Sequence, residues 1–311
     1  MRRWTGAGRA AAGLLAATAA LAGAARAAEP DADEGGGAAR PRGRASRFFE
    51  EHGARLLAAI GVDQAARAYD RTFGPSRSPL LFQHPPSVDR DVHDSVTGPS
   101  PLRGYVENYG LETLRYGVPA ALILLDLRDR GRMAPDLLGF VETYYANRGL
   151  TSLLKNVTGR ERPVLEYAAE EGAGPRRLRG LDALERNHQS FPSGHASGSF
   201  AFAAYLERAL ARRTGLRGGA RAVSFGALYG VAGYIGWSRI RRGQHHLTDV
   251  VGGAALGVAT ARTCYRLNHP DEVRAARAGR RRLAAGVRAF VPEGGGVGVT
   301  VSLARPGPGR P

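Results

Sequence analysis

At 311 residues the chain is long enough for one large domain or two small ones, and its formal net charge of +16, carried on a composition rich in Ala, Gly and Arg, points to anionic partners. Those partners are phosphorylated ligands or an anionic lipid surface. Nucleic acid is set aside, because the arginines are scattered along the whole chain without the aromatic interleaving or the module that such a binder needs, and the single Cys264 rules out an intramolecular disulfide and a cysteine-based metal cluster.

Residues 1–27 carry the pattern of an export signal: Arg2 and Arg3 lead, Ala10 to Ala24 form a short apolar core, and Ala25-Arg26-Ala27 offers a small-x-small cleavage site. The mature protein is therefore expected in the periplasm or cell envelope. Residues 28–47, with their Gly, Pro and Arg, are expected to be a flexible N-terminus. From Phe48 to Tyr69 apolar residues recur at helical spacing (Leu56, Leu57, Ile60, Ala65, Ala68), which predicts an amphipathic helix broken near Gly61. Five prolines between Gly74 and Pro101 make the following stretch an irregular surface crossing, so that 48–110 forms an N-terminal region ahead of the core.

Apolar runs then predict buried helices over Leu111 to Leu127, Pro135 to Leu154, Ser193 to Arg212, Ala220 to Trp237 and Leu247 to Leu267, with Glu166 to Asn187 a charged, glycine-containing excursion. Most charge-free runs are about 10 to 17 residues, and the longest, from Asn187 to Leu206, is polar in its first third; a spanning helix needs about 20 mostly apolar residues. An all-α fold is expected, a bundle of about six core helices over 111–268, with no membrane span after the signal. In the basic tail 269–311, Val287, Ala289 and Val291 alternate before Pro292-Glu293-Gly294-Gly295-Gly296, and Val297, Val299, Val301 and Leu303 alternate after it, which predicts a small C-terminal β-hairpin for packing or surface contact.

Three polar clusters sit at the ends of these helices. In the run from Ser238 to Asp249, His245 and Asp249 are four apart, which on a helix puts both on one face within hydrogen-bond reach. A carboxylate there fixes the imidazole tautomer and raises the basicity of the far nitrogen, which can then attack or ligate. Arg239, Arg241 and Arg242 supply cations, and Gly243 permits a break that swings Arg239 toward His245. Taken alone, the same residues also fit an ordinary helical pair with solvated arginines. In Phe191-Pro192-Ser193-Gly194-His195, Ser193 is a natural N-cap and Gly194 allows close backbone approach, so the helix N-terminus is a ready anion site with His195 in its first turn. In Lys155-Asn156-Val157-Thr158-Gly159-Arg160-Glu161-Arg162-Pro163, Lys155 is the only lysine against 43 arginines (44 minus 1), as if a compact ammonium were needed there. Lys155 and Arg162 are seven apart, two turns, and reach the same side if the helix persists that far.

Together, Lys155-x6-Arg162-Pro163, Pro192-Ser193-Gly194-His195 and Ser238-Arg239-x5-His245-x3-Asp249 resemble the three-part signature of the type 2 phosphatidic acid phosphatase superfamily, which also includes bacterial class A acid phosphatases and vanadium-dependent haloperoxidases. The likeness covers roughly Leu111 to Leu267 and is complete at every signature position. It implies an all-α bundle with the clusters converging at one end, and phosphatase chemistry without a metal through a phosphohistidine. By position, His245 resembles the nucleophile, Asp249 the carboxylate orienting it, and His195 the acid that protonates the leaving oxygen and then the base that activates water. Lys155, Arg162, Ser193, Gly194 and Arg239 resemble the phosphate cradle. No cofactor is implied, vanadate being a phosphate mimic. The residues agree with this on their own chemistry: phosphoryl transfer asks mainly for alignment and charge neutralisation, which three cations and a helix N-terminus supply.

His246, about 100° from His245 on a helix, reads as packing or surface. Arg160, Arg241 and Arg242 read as solvated or lipid-facing, and His188 as a residue of the pocket mouth at most. The leading expectation is an exported, metal-independent phosphatase of phosphomonoesters or lipid (pyro)phosphates, whose partners are a phosphorylated small molecule or lipid and, peripherally, an anionic membrane. The alternatives are a vanadium-dependent haloperoxidase and a non-catalytic anion-binding protein at the membrane surface.

Overall fold

The computed structural model describes residues 44–75, 86–96, 105–126, 133–168, 172, 174, 185–270, 274, 287–290 and 298–301. The export signal, the middle of the Pro-rich crossing, most of the excursion before Asn187 and the hairpin turn lie outside the described residues. The chain divides into two compact units, 1–265 and 266–311.

The first unit is all-helical. Its elements are α1 (Arg44–Phe73), α2 (Ser87–Val96), α3 (Tyr105–Asp126), α4 (Met133–Thr158), the one-turn α5 (Pro163–Glu166), a 3-10 turn (Glu185–His188), α6 (Gly194–Thr214), α7 (Gly218–Arg241) and α8 (Leu247–Asn268). Among the described residues no helix is long and apolar enough to cross a membrane. In the second unit, β1 (Val287–Phe290) and β2 (Gly298–Val301) pair antiparallel, with Val287 opposite Val301.

The core lies where α3, α4, α6 and α8 meet. Val118 and Leu122 of α3, Phe140 of α4, and Phe202, Tyr205 and Leu206 of α6 form one buried cluster with Ala261 and Tyr265 of α8. Phe140 sits 5.1 Å from Phe202 and edge-on to Tyr205, an arrangement that ring quadrupoles favour. Asp136 in the first turn of α4 takes Arg212 at 2.5 Å and Arg213 at 2.6 Å from the last turn of α6, so each helix end meets the opposite charge.

Helix α1 packs along α4 and does not break at Gly61. A mid-helix glycine costs about 1 kcal/mol against alanine, less than the burial of Ala59, Val62 and Ala66 beside it returns. The two helices touch at backbone distance: a Cβ on Gly149 would stand 2.8 Å from the Asp63 amide nitrogen. Asp63, fully buried, accepts Arg148 Nε at 2.6 Å and Nη2 at 2.5 Å across this seam.

Helices α6 and α8 approach even more closely. A Cβ on Gly253 would stand 2.6 Å from the Ser193 carbonyl oxygen, and one on Gly257 only 2.1 Å from that of Ser197. Two glycines four apart thus make a groove on α8 that receives the α6 backbone and fixes both N-termini side by side. Gly257→Ala is expected to destabilise the protein by about 1–3 kcal/mol, read as a lower denaturation midpoint. Gly230→Ala on α7, where an added Cβ meets nothing within 4 Å, should instead stabilise by about 0.5–1 kcal/mol.

Candidate active site

Backbone hydrogen bonds stitch the three sequence clusters together. Helix α4 ends at Thr158, and Gly159, at φ 58°, turns the chain out of the helix. Thr158 Oγ1 donates to the Phe191 carbonyl at 2.9 Å, Ser190 N donates to that of Arg160 at 2.9 Å, and Arg162 N donates to that of Asn187 at 2.8 Å. Ser193 N donates to the Asp249 carbonyl at 2.9 Å, tying the start of α6 to the start of α8. At the other side Gly243, at φ 60°, ends α7 and lets Gln244 N return to the Arg239 carbonyl at 3.1 Å.

Asp249 is the centre of the stitching. It is fully buried, and its Oδ2 accepts Ser190 Oγ at 2.5 Å and the His246 amide at 2.9 Å, while Oδ1 accepts Arg160 Nη1 at 2.8 Å. His245 Nδ1 stands 3.6 Å from Oδ2, an electrostatic contact longer than a full hydrogen bond. Burial opposes ionisation of Asp249, but His245 and Arg160 outweigh it and hold the carboxyl well below the usual carboxylate range. A permanently charged carboxylate therefore faces a buried imidazole, whose Nε2 is left for chemistry.

Around that pair lie the cations. Lys155 Nζ donates to the Gln189 carbonyl at 2.7 Å, and its Cε is 3.8 Å from where a Gly194 Cβ would stand, which puts the lysine side chain beside the start of α6. Ser193 caps α6, its Oγ accepting Ala196 N at 3.4 Å. Arg239, on the last turn of α7, hydrogen-bonds the Gln244 side chain. Burial first, and then Arg162 and Arg239, lower Lys155 to about 7. Burial and the neighbouring Arg239, Lys155, Arg162 and Arg242 lower His195 to about 4; burial, opposed by Asp249 and reinforced by Lys155 and Arg162, lowers His245 to about 3. Lys155, Arg162, His195, Arg239, His245 and Asp249 thus share one electrostatic neighbourhood.

Several local expectations are corrected. His245 is not on a helix with Asp249: α8 starts at Leu247, and Asp249 reaches back to the His246 amide as a first-turn carboxylate does. Lys155 and Arg162 share the site although the helix stops between them, because the chain turns at Gly159 and re-enters beside Asn187. Ser238 to Arg241 belong to the last turn of α7. Arg160, read as solvated, is only 2% exposed and bridges Asp249, Thr248 and Asp89. Its place between Lys155 and Arg162 was the available signal; nothing local marks Asp89. His246 is a packing residue as expected, fully buried edge-on to Tyr167, with Nε2 2.9 Å from Glu166. His188 is buried, its Nδ1 3.9 Å from Glu161.

A cavity of about 400 Å³ opens beside the cradle, lined by Lys155 and Gly194 and by Leu111, Tyr144, Gly198 and Phe202. Its size falls in the range of small-molecule sites, roughly 300–1,000 Å³.

The fold and this arrangement define a helical domain in which three cations and a helix N-terminus lie near two histidines. The sequence profile of the PAP2 superfamily matches residues 136–271. Lipid phosphate phosphatase 2 of Arabidopsis thaliana is 30% identical over 142 residues, 42% of this chain and 49% of that protein. Lipid phosphate phosphatase 1 of the same plant is 30% identical over 149 residues, 43% of this chain and 45% of that one. Diacylglycerol pyrophosphate phosphatase 1 of Saccharomyces cerevisiae is 28% identical over 220 residues, 62% of this chain and 74% of that protein. The matched part spans about half the length of the two plant relatives, and no solved structure matches the chain. Over residues 136–271 the chain is thus similar to the PAP2 superfamily.

The crowded cations make a prediction about protons. Lys155, lowered to about 7, is mostly neutral at pH 8, and a bound dianion favours its charged form. Sulfate, which has no proton to exchange in this range, should therefore bind at pH 8 with net proton uptake, measured by calorimetry in buffers of different ionisation enthalpy. Lys155→Met should lose most of that uptake.

Proposed function

We propose that the chain is a phosphatase that needs no metal ion and hydrolyses lipid phosphates or lipid diphosphates through a phosphohistidine, working in the cell envelope after export. The observation that carries the reading is the buried His245–Asp249 pair set among Lys155, Arg162, Arg239 and the α6 N-terminus. His245 is held neutral by burial, so its Nε2 lone pair is free to attack phosphorus. As the N–P bond forms and the ester P–O bond breaks, charge on the equatorial oxygens is met by the three cations, the Ser193 hydroxyl and the Gly194 amide. His195 gives its proton to the departing oxygen. In the second half His195 takes a proton from water, the water oxygen bonds to phosphorus, the P–N bond breaks, and inorganic phosphate leaves with His245 restored.

The protonation states follow from the charges. Four neighbouring cations oppose a proton on His195. A phosphate dianion offsets them and raises the affinity of His195 for the proton it must donate. Asp249 stays ionised throughout and steadies the charge that His245 acquires.

The lipid class is supported by the relatives' names and by the cavity beside Lys155 and Gly194, which offers the non-phosphate part of a substrate an apolar wall. Peripheral contact with anionic lipid is supported by the net charge of +16 and by apolar side chains left exposed, among them Ile123 and Leu124 on α3 and Val223 and Phe225 on α7. The C-terminal hairpin has no chemical part in this reading and serves packing or surface contact.

With a chelator present, the protein should hydrolyse a lipid phosphate, and a base-stable phosphoenzyme should be trapped from wild type but not from His245→Ala. Both His245→Ala and His195→Ala should lose roughly 10²–10⁴-fold or more in kcat. Phosphate binding without turnover of any ester makes the protein a binder. Vanadate-dependent halide oxidation by peroxide makes it a haloperoxidase.

A second expectation concerns the cavity. Ser152→Phe, on its wall, should displace about two methylenes' worth of contact, near 1.6 kcal/mol, and raise KM for a long-chain lipid phosphate about 15-fold while leaving p-nitrophenyl phosphate unchanged. The same lipid presented in phosphatidylglycerol vesicles should turn over faster than in phosphatidylcholine vesicles, and salt should erase the difference.

A further inference from the structure

Asp249 has two oxygens with different duties. Oδ2 faces His245, and Oδ1 is turned away from it toward Arg160. A carboxylate is rigid and planar, so whatever fixes Oδ1 also aims Oδ2.

The group at Oδ1 is itself anchored. Arg160 donates from Nη1 to Asp249 Oδ1 at 2.8 Å and to Thr248 Oγ1 at 2.6 Å, and from Nη2 to Asp89 Oδ2 at 2.7 Å. Asp89 in turn accepts the Thr248 amide on Oδ1 at 2.9 Å and the Thr248 hydroxyl on Oδ2 at 2.7 Å. Arg160 is 2% exposed, Asp89 1% and Asp249 0%. The four groups form one circuit in which a buried guanidinium lies between two buried carboxylates. Asp89 lies on α2, outside the segment 136–271 that the family profile matches.

Helix α2 is pressed onto the site by more than this circuit. Val92 and Val96 pack against Ala196, Ile240 and Val250, the residues that underlie the starts of α6 and α8 and the end of α7. His93 lies 4.5 Å from the Tyr167 ring, and Tyr167 stands edge-on to His246, next to His245.

We infer that Arg160, anchored by Asp89 of α2, is a positioning residue that aims the Asp249 carboxylate at His245, so that a helix outside the matched family segment belongs to the catalytic framework. A buried ion pair kept only for stability can be replaced by apolar groups of similar volume at little cost. A pair kept for aim cannot, because the carboxylate would be free to turn. The inference rests on the phosphatase reading for its kinetic test and on geometry alone for its spectroscopic one.

The experiment compares Arg160→Met, Arg160→Lys and Asp89→Asn with wild type for kcat and KM on p-nitrophenyl phosphate, vanadate affinity, thermal midpoint and the His245 imidazole ¹⁵N shifts. Arg160→Met is expected to lose about 100-fold in kcat with KM and vanadate affinity within about twofold, since the cradle is untouched; Asp89→Asn should lose about tenfold, and Arg160→Lys should recover part of the loss. The ¹⁵N shifts should report a single tautomer with the proton on Nδ1 in wild type and a mixture in Arg160→Met. If Arg160→Met fails to fold, the isosteric Asp89→Asn carries the same readouts. Wild-type kcat in the folded variants, or a fall in vanadate affinity as large as the fall in kcat, overturns the assignment. Should the wild type hydrolyse nothing, the phosphatase reading falls by itself, and the positioning role is then decided by the tautomer: unchanged in Arg160→Met, it is overturned as well.

Discussion

The carboxylate of Asp249 is where the stretches of chain that matter most are joined, and the rest of the site depends on its staying ionised in a dry place. A lone buried charge costs several kcal/mol, and the cost is offset only when hydrogen bonds and counter-charge surround it. Here Ser190, the His246 amide and Arg160 do so, each brought from a different direction. The groove made by Gly253 and Gly257 lets α8 lie against α6, so that this carboxylate and the Ser193 cap arrive side by side. Remove either the groove or the donors and the imidazole of His245 has no fixed neighbour.

The complementary side of the site concentrates positive charge. Burial, and then the crowding of Lys155, Arg162 and Arg239 around two histidines, shifts Lys155 and both imidazoles toward their neutral forms. The site's electrostatics favour an anion over a neutral ligand, and on the proposed reading anion binding is coupled to proton movement. This coupling suits a reaction in which one histidine must be neutral and the other must acquire a proton, with the anion itself supplying the difference between them.

Much of this was readable in the sequence, for a physical reason. Capping residues, a helix-breaking glycine and a lone lysine are local signals, and the three polar clusters carry them at the ends of apolar runs, so the helical core and the clusters that the structure brings near one another could be picked out from the chain alone. What escaped depends on partners distant in sequence. Arg160 looks like any other arginine until Asp89, 71 positions earlier, is seen beside it. Gly61 looks like a break until the packing of α1 on α4 overrides it. The helical spacing of His245 and Asp249 is real, yet the contact comes from a loop-to-helix turn whose geometry no periodicity describes.

Lys155 has one more implication. Apart from the α-amino group, it is the chain's sole amine, and at about 7 it spends much of its time near neutrality as a competent nucleophile. Ordinary lysines, titrating some three units higher, would compete poorly with it for an acylating reagent at neutral pH. The cradle therefore comes with its own chemical address, at which a reporter group could be attached without introducing any new residue, and from which an occupying anion would shield it.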